Sequence, residues 1–279
     1  MQVFSTISAV RAARPRIGTL GFVPTMGFLH DGHLSLVRRA VTECDNVAVS
    51  IFVNPTQFCP GEDFSRYPRN MEHDLALLRE AGVTFVFTPE PAEMYPPRFA
   101  TSIDVGAVAH PLEGAVRPGH FSGVATIVCK LFNIVQPARA YFGQKDAQQC
   151  AVIRQLVADL NLPIEIVTGE IIRNSEGLAL SSRNSYLSEA DRTRATVLHA
   201  ALQAARTQVE AGERNVDVLK TVIRDILTRE PDFLVDYISI ADPDSLHELS
   251  RIEHKSLASL AVRVGPTRLL DNVILQPVL

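Results

Sequence analysis

IGTLGFV (17–23), PTMGFLHDGH (24–33), LSLVRRAV (34–41) and VAVSIFV (47–53) follow one another near the start of the chain. The first and last are short apolar runs, closed by Pro24 and by Asn54-Pro55, as expected of buried strands. In the third, Leu34, Val37 and Val41 recur at helical spacing with arginines on the other face. Strand, glycine-bearing loop, helix and strand in this order predict a βαβ unit with a parallel sheet.

The same alternation continues outward. Residues 74–81 read as a helix, 83–87 as a strand, 121–134 as a longer apolar helix, and AYFG (140–143) as a strand. A helix over 146–160 and a strand over 164–167 follow. The expected fold is α/β, a Rossmann-like parallel sheet forming a nucleotide-binding domain over residues 1–173. Beyond it the texture changes. RNSEGLALSSRNSYLS (173–188) is polar and ends in Ser188-x-x-Asp191, a capping pattern ahead of a long helix to about Ala211. A helix over 216–227, strands near 234–240 and 257–264, and VILQPVL (273–279) complete a second, smaller α+β domain, 174–279.

Composition narrows the functional classes. The chain has 279 residues, a net charge of −4 and no dense Lys/Arg block, which argues against a nucleic-acid partner. Cys44, Cys59, Cys129 and Cys150 form no C-x-x-C pair, so reduced thiols are expected. Arg11, Arg14 and Arg16 fall where a signal peptide needs an apolar core, and no apolar run approaches the length of a membrane span. A soluble cytoplasmic protein with no membrane partner is expected.

The loop at 24–33 carries the chemistry. Open parallel sheets bind ligands between a strand end and the next helix. Gly27 and Gly32 admit close backbone approach, and a helix starting near His33 offers N–H groups to an anion. His30 and His33 can both donate to phosphate oxygens. A capped loop with two surface histidines is the alternative; a metal site lacks H-E-x-x-H and a third ligand. Asn54 and Gln57 follow the second strand, where amides serve either a turn or a substrate with hydroxyls and a carboxylate. In Gly143-Gln144-Lys145-Asp146, Lys145 is a point charge for phosphate. Asp146 is either a helix cap or a ligand of hydrated Mg2+.

H-x-G-H resembles the signature of the adenylyl-transferring superfamily of nucleotidylyltransferases and class I aminoacyl-tRNA synthetases. PTMGFLHDGHLSLV (24–37) as a block resembles the pantoate–β-alanine ligase family. SIFVNPTQF (50–58), HFSGV (120–124), YFGQKDAQQ (141–149), GLALSSRNSYLS (177–188) and DYISIADPDSL (236–246) agree in order and spacing. The resemblance implies an ATP-dependent ligase that joins pantoate to β-alanine through a pantoyl-adenylate. It implies ATP contacts from Met26, Gly27, Phe28, Leu29, His30, Asp31, Gly32, His33, Gly143, Gln144, Lys145, Asp146, Ile172, Leu180, Ser181, Ser182 and Arg183. His33, His30, Lys145 and Arg183 would stabilise the phosphates during reaction, the loop at 180–183 acting as the KMSKS-type loop does in the synthetases.

The resemblance further implies that Gln57 and Gln149, with Asn54, bind pantoate and β-alanine. Gln148 would face elsewhere, because neighbouring helical residues lie about 100° apart. Arg117 and His120 would lie near the pantoate pocket. Mg2+ would accompany ATP, the chain would form a homodimer, and the smaller domain would act as a lid hinged on the Ser/Asn/Gly-rich 174–185. Phe28 stands where the family often has alanine, Ala147 where an aromatic is common, and His73 where some members are acidic. No metal role is therefore given to His73 or Asp74. The rival readings are a nucleotidyltransferase acting on another small acceptor, a non-catalytic nucleotide sensor and a metallohydrolase.

Overall fold

The structure, a computed structural model, describes residues 1–14 and 18–277. Readings on Arg16, on the first residue of the 17–23 strand and on the last two of VILQPVL lie outside the described residues. The chain separates into two compact units, Met1–Gly143 with Gln148–Glu170, and Gln144–Ala147 with Ile171–Leu279.

The first unit alternates strand and helix. It runs β1 (Gln2–Phe4), α1 (Ile7–Ala13), β2 (Leu20–Thr25), α2 (Asp31–Glu43), β3 (Asn46–Ile51), α3 (Met71–Glu80) and β4 (Phe85–Phe87). Then come single turns α4 (Pro91–Met94) and α5 (Glu113–Val116), and α6 (His120–Val135), β5 (Arg139–Gly143), α7 (Ala147–Asp159) and β6 (Glu165–Gly169). All six strands pair parallel in the order β1-β4-β3-β2-β5-β6. From β2 the chain winds outward through β3 and β4, then returns to add β5 and β6 on the other side. The β2/β5 boundary is thus the switch point, where loops leaving the strand ends diverge and open a crevice.

Burial follows from the composition of these elements. Val47, Val49 and Ile51 of β3 meet Leu36, Val37 and Ala40 of α2 and Leu78 of α3 in one core cluster. Twelve of the sixteen residues of α6 are buried, as expected of a largely apolar helix, and Asn133 is exposed. On α2 the inward stripe is Leu34, Leu36, Val37 and Ala40, while Val41, which the spacing assigned inward, is exposed. The stripe ends one residue earlier because 3.6 residues per turn favours Ala40 after Leu36 and Val37.

Pro24 does not close β2; the strand continues to Thr25. The Thr25 carbonyl accepts from Phe52 N on the β3 side, so the neighbouring Pro24 faces β5. The β2–β5 ladder covers only Gly21 and Phe22, so the N–H that proline lacks is not needed there.

The second unit contains α8 (Glu189–Arg194), α9 (Val197–Glu210) and α10 (Val216–Leu227). Its sheet has β7 (Phe233–Ala241), β8 (Ser256–Val264) and β9 (Thr267–Leu275), antiparallel in that order. Leu198, Leu202, Leu219 and Ile223 of the helices pack with Ile240, Ala258, Leu260 and Val262 of the sheet. The single long helix expected after Ser188 is broken between α8 and α9. There Thr196 Oγ1 donates to the Thr193 carbonyl at 2.7 Å, and Thr196 N reaches the same carbonyl. A hydroxyl competing for a helix carbonyl bends the chain. No helix among the described residues is long and apolar enough to cross a membrane.

Candidate active site

The loop leaving β2 is held from beneath by Asp74, a residue of the first turn of α3 that is 1% exposed. Its two carboxylate oxygens accept from the backbone N–H of Phe28 at 2.7 Å and of Leu29 at 2.8 Å. Those bonds fix a left-handed turn, φ 83° at Gly27 and 53° at Phe28. A Cβ on Gly27 would come within 2.9 Å of Ile51 Cγ2 and 3.0 Å of Asp74 Oδ2, so conformation and space both demand glycine. Phe28 bears the strain of a bulky residue at positive φ, which persists only where the surroundings over-determine it. The side chain of Leu29 belongs to the core cluster.

The histidine pair then closes the start of α2. His30 is the N-cap, its Nδ1 accepting from Gly32 N at 3.1 Å, while His30 N donates to His33 Nδ1 at 3.4 Å. The rings lie 4.0 Å apart, centre to centre. A capping box built from two histidines fixes their tautomers: with both Nδ1 atoms accepting, each neutral ring carries its proton on Nε2. This corrects the sequence reading of the helix start. The helix begins at Asp31, not near His33, and the Gly32 N–H is spent on the His30 ring. Asp31 is exposed and weakly paired with Arg38 at 3.7 Å.

Beyond β3, Asn54 is 1% exposed and fully committed. Its Nδ2 donates to Gln57 Oε1 at 3.0 Å and to the Gly123 carbonyl at 3.2 Å. Its Oδ1 accepts from Tyr95 Oη at 2.6 Å and from Thr56 N and Oγ1. The sequence reading set Asn54 beside Gln57 as a substrate ligand. The structure instead makes it the bracket that orients Gln57, since a buried amide must spend its donors and acceptor internally. Gln57 is half-buried, with Nε2 3.1 Å from Met26 Sδ.

A charged network lies behind Gln57. Its carbonyl accepts from His120 Nδ1 at 2.7 Å, and Arg117 Nη1 lies 3.0 Å from His120 Nε2. Arginine has no acceptor, so His120 holds its proton on Nδ1. Arg117 also grips Glu62 with two bonds of 2.6 and 2.7 Å. Burial, then the Arg117 charge, pushes the His120 imidazole down to about 4, which keeps it neutral near pH 7. Burial raises the Glu62 carboxyl, but the Arg117 bonds outweigh it and hold that group below its usual value. Gly123 of α6 lets the helix lie directly on this turn. A Cβ there would be 2.3 Å from the Thr56 carbonyl oxygen.

On α7, Gln148 is turned into the protein. It accepts from Glu113 N at 3.0 Å and donates to the carbonyls of Val108 and Pro111. Its neighbour Gln149 is half-buried.

Gly143 ends β5 in the first unit, and the remaining expected residues, 144–146, Ile172 and 180–183, lie in the second. Lys145 Nζ pairs with Asp146 Oδ1 at 3.3 Å. Ser181 caps a 3-10 turn (Ser182–Tyr186), its Oγ accepting from Arg183 N at 3.3 Å, and Ser182 is buried. The Ile172 carbonyl accepts from Leu180 N at 2.9 Å, and Arg173 bridges Ala179 across a small hairpin. Asn174 Oδ1 takes the N–H groups of Glu176 and Leu178. The segment expected as a hinge from its serine, asparagine and glycine content is therefore a hydrogen-bonded hairpin and turn. Small polar residues close tight turns as readily as they loosen linkers. No three His, Cys, Asp or Glu side chains among the described residues converge as a metal cage.

Tyr95, Gly123 and Glu62 were not singled out in the sequence, and Asp74 was considered there only to be given no metal role. Asp74 left one readable trace: it stands four residues before Leu78 and shares its buried helix face, an unusual place for a carboxylate.

The family profile described as Pantoate-beta-alanine ligase matches residues 2–274. The chain is 60% identical over 277 residues to a pantothenate synthetase of Roseiflexus castenholzii, covering 99% of this chain and 100% of that protein. Its structure is similar to that of pantothenate synthetase from Thermus thermophilus, with a TM-score of 0.96 and 49% identity, covering 99% of this chain and 100% of the other. It is also similar to a pantoate-beta-alanine ligase from Francisella tularensis complexed with beta-gamma ATP and beta-alanine. There the TM-score is 0.81 and identity 34%, over 98% of this chain and 97% of the other.

Proposed function

The chain belongs to the pantoate–β-alanine ligase family, and on that premise we propose that it condenses pantoate with β-alanine at the expense of ATP, through a pantoyl-adenylate. A pantoate carboxylate oxygen attacks the α-phosphorus of ATP, and the bond to pyrophosphate breaks. The β-alanine amine then attacks the carbonyl carbon of the mixed anhydride, loses a proton, and AMP leaves. The observation that carries this reading is the histidine capping box. It fixes both rings with Nε2–H as the donor, beside a strand end at the switch point. Donors held in place before charge develops stabilise a transition state without reorganising.

In this reading His33, His30, Lys145 and Arg183 stabilise the phosphates. Met26, Gly27, Phe28, Leu29, Asp31, Gly32, Gly143, Gln144, Asp146, Ile172, Leu180, Ser181 and Ser182 line the nucleotide site. Gln57 and Gln149 bind pantoate, and Asn54 acts through Gln57. Mg2+ arrives as the counter-ion of ATP, an ion that keeps most of its waters and needs few protein ligands. Asp146 is the carboxylate nearest in sequence to the phosphate-binding lysine. The cytoplasmic setting, the homodimer and the lid role of the second unit belong to the same proposal and rest on the resemblance.

An assay for AMP with ATP, pantoate and β-alanine, each omitted in turn, tests the reading. AMP should accumulate only when all three are present, and His33→Ala should lower kcat by about 10²–10³, the range for one lost donor. Pyrophosphate release without free AMP would point instead to nucleotidyl transfer onto another acceptor, which keeps the AMP.

A further inference from the structure

Strand β9 carries two buried polar residues in succession, Asp271 and Asn272, 4% and 3% exposed. Buried polar groups cost free energy unless every one is paired, and Leu269 and Leu275 show that this strand accepts apolar residues. Successive strand residues point to opposite faces, so the two side chains serve different segments. Asn272 Nδ2 donates to the carbonyls of Gln144 at 2.9 Å and Lys145 at 3.0 Å, and its Oδ1 accepts from Gln144 Nε2 at 3.1 Å. The lysine turn is thus tied to β9 by three bonds from one side chain.

Asp271 takes both arms of Arg173, at 2.7 and 2.8 Å. Arg173 Nη1 also donates to the Gly177 carbonyl at 3.0 Å, closing the hairpin that leads directly into 180–183. Asp271 Oδ1 further accepts from Asn272 N at 2.8 Å, so the two anchors share one rigid peptide.

We propose that Asp271 and Asn272 are positioning residues for the nucleotide: one dipeptide sets Lys145 from one face of the strand and the 180–183 segment from the other. The inference rests on the phosphate roles proposed for Lys145 and Arg183. Both act at one remove: Asn272 through the Gln144 and Lys145 backbone it holds, Asp271 through the Arg173 guanidinium, which in turn holds the Gly177 carbonyl. Because displacement by about 1 Å can cost 10²-fold in rate, loss of either anchor is expected to fall on ATP use.

The test compares Asn272→Ala, Asn272→Asp, Lys145→Ala and the Asn272→Ala/Lys145→Ala double variant. Asn272→Ala should lower kcat/KM for ATP by about 10- to 100-fold while calorimetric affinity for pantoate is retained. Asn272→Asp keeps an acceptor but cannot donate to two carbonyls, so it should fall as far. Asn272→Ser, with one donor left, should lie between wild type and alanine, and serves if Asn272→Ala does not fold. In the Lys145→Ala background the Asn272→Ala loss should shrink sharply, since both act on one interaction. An unimpaired Asn272→Ala beside an impaired Lys145→Ala, or fully multiplicative losses in the double variant, would overturn the positioning role alone. An unimpaired Lys145→Ala would overturn the phosphate reading and the inference together.

Discussion

Asp74 shows how one buried side chain shapes the histidine loop without itself doing chemistry. It accepts two backbone N–H groups at 1% exposure, and those bonds hold Phe28 at positive φ. In Asp74→Asn an NH2 group replaces one oxygen, and either amide orientation leaves one backbone donor unsatisfied. A stability loss of about 1–3 kcal/mol is expected, read as a lower urea midpoint at unchanged slope. An unchanged midpoint would remove Asp74 from its role under the loop.

His120 supplies the pH signature. Its folded value of about 4 lies below its unfolded value near 6.5, so between these the unfolded chain binds the extra proton. Stability therefore falls as pH drops through this window, and is unaffected above it. Wild type should lose about 2 kcal/mol more than His120→Gln between pH 7 and pH 5, measured by denaturant titration. Glu62 titrates in both proteins and cancels in the comparison. Equal losses would mean that His120 is charged in the folded state.

At the scale of elements, α6 and the turn at 54–57 form one piece. The Gly123 position brings the helix onto the Thr56–Gln57 backbone, and the Gly123 carbonyl accepts from Asn54. In Gly123→Ala the new methyl would lie 2.3 Å from a carbonyl oxygen, so helix and turn must part. A loss of about 1–3 kcal/mol from overpacking is expected, with weaker pantoate binding in calorimetry and retained ATP binding. Intact pantoate affinity would separate Gln57 from this contact.

Elements were also where the sequence was most legible. Alternating apolar runs and amphipathic stretches located β2 to β6 and α2, α3, α6, α7 and α10, because their periodicity is written in consecutive residues. The edge strand Gln2–Phe4 escaped, since three residues carry no period and its pairing with Phe85–Phe87 lies far along the chain. The α8–α9 break escaped because it turns on a threonine hydroxyl, whose hydrogen-bond choice propensity does not reveal.

For the whole molecule, the order of strands and helices, and hence the fold class, followed from the alternation of strand and helix patterns along the chain. The allegiance of Gln144–Ala147 did not. These four residues sit between β5 and the body of α7 in sequence, yet belong with the second unit. Their partner Asn272 is 127 residues beyond Lys145, and nothing local announces it. For the candidate site, motif spacing was enough to nominate His30, His33, Gln57 and Lys145, while the supporting contacts made by Asp74, Glu62 and Asn272 were not legible, because their partners are distant in sequence.

The central claim is that carboxylate activation precedes, and does not require, the amine. Exchange of labelled pyrophosphate into ATP tests this most directly, because it reads reversal of the first step alone. With ATP, Mg2+ and pantoate but no β-alanine, label should enter ATP, and omission of pantoate should abolish the exchange. Exchange that requires β-alanine, or that proceeds equally without pantoate, would contradict a pantoyl-adenylate.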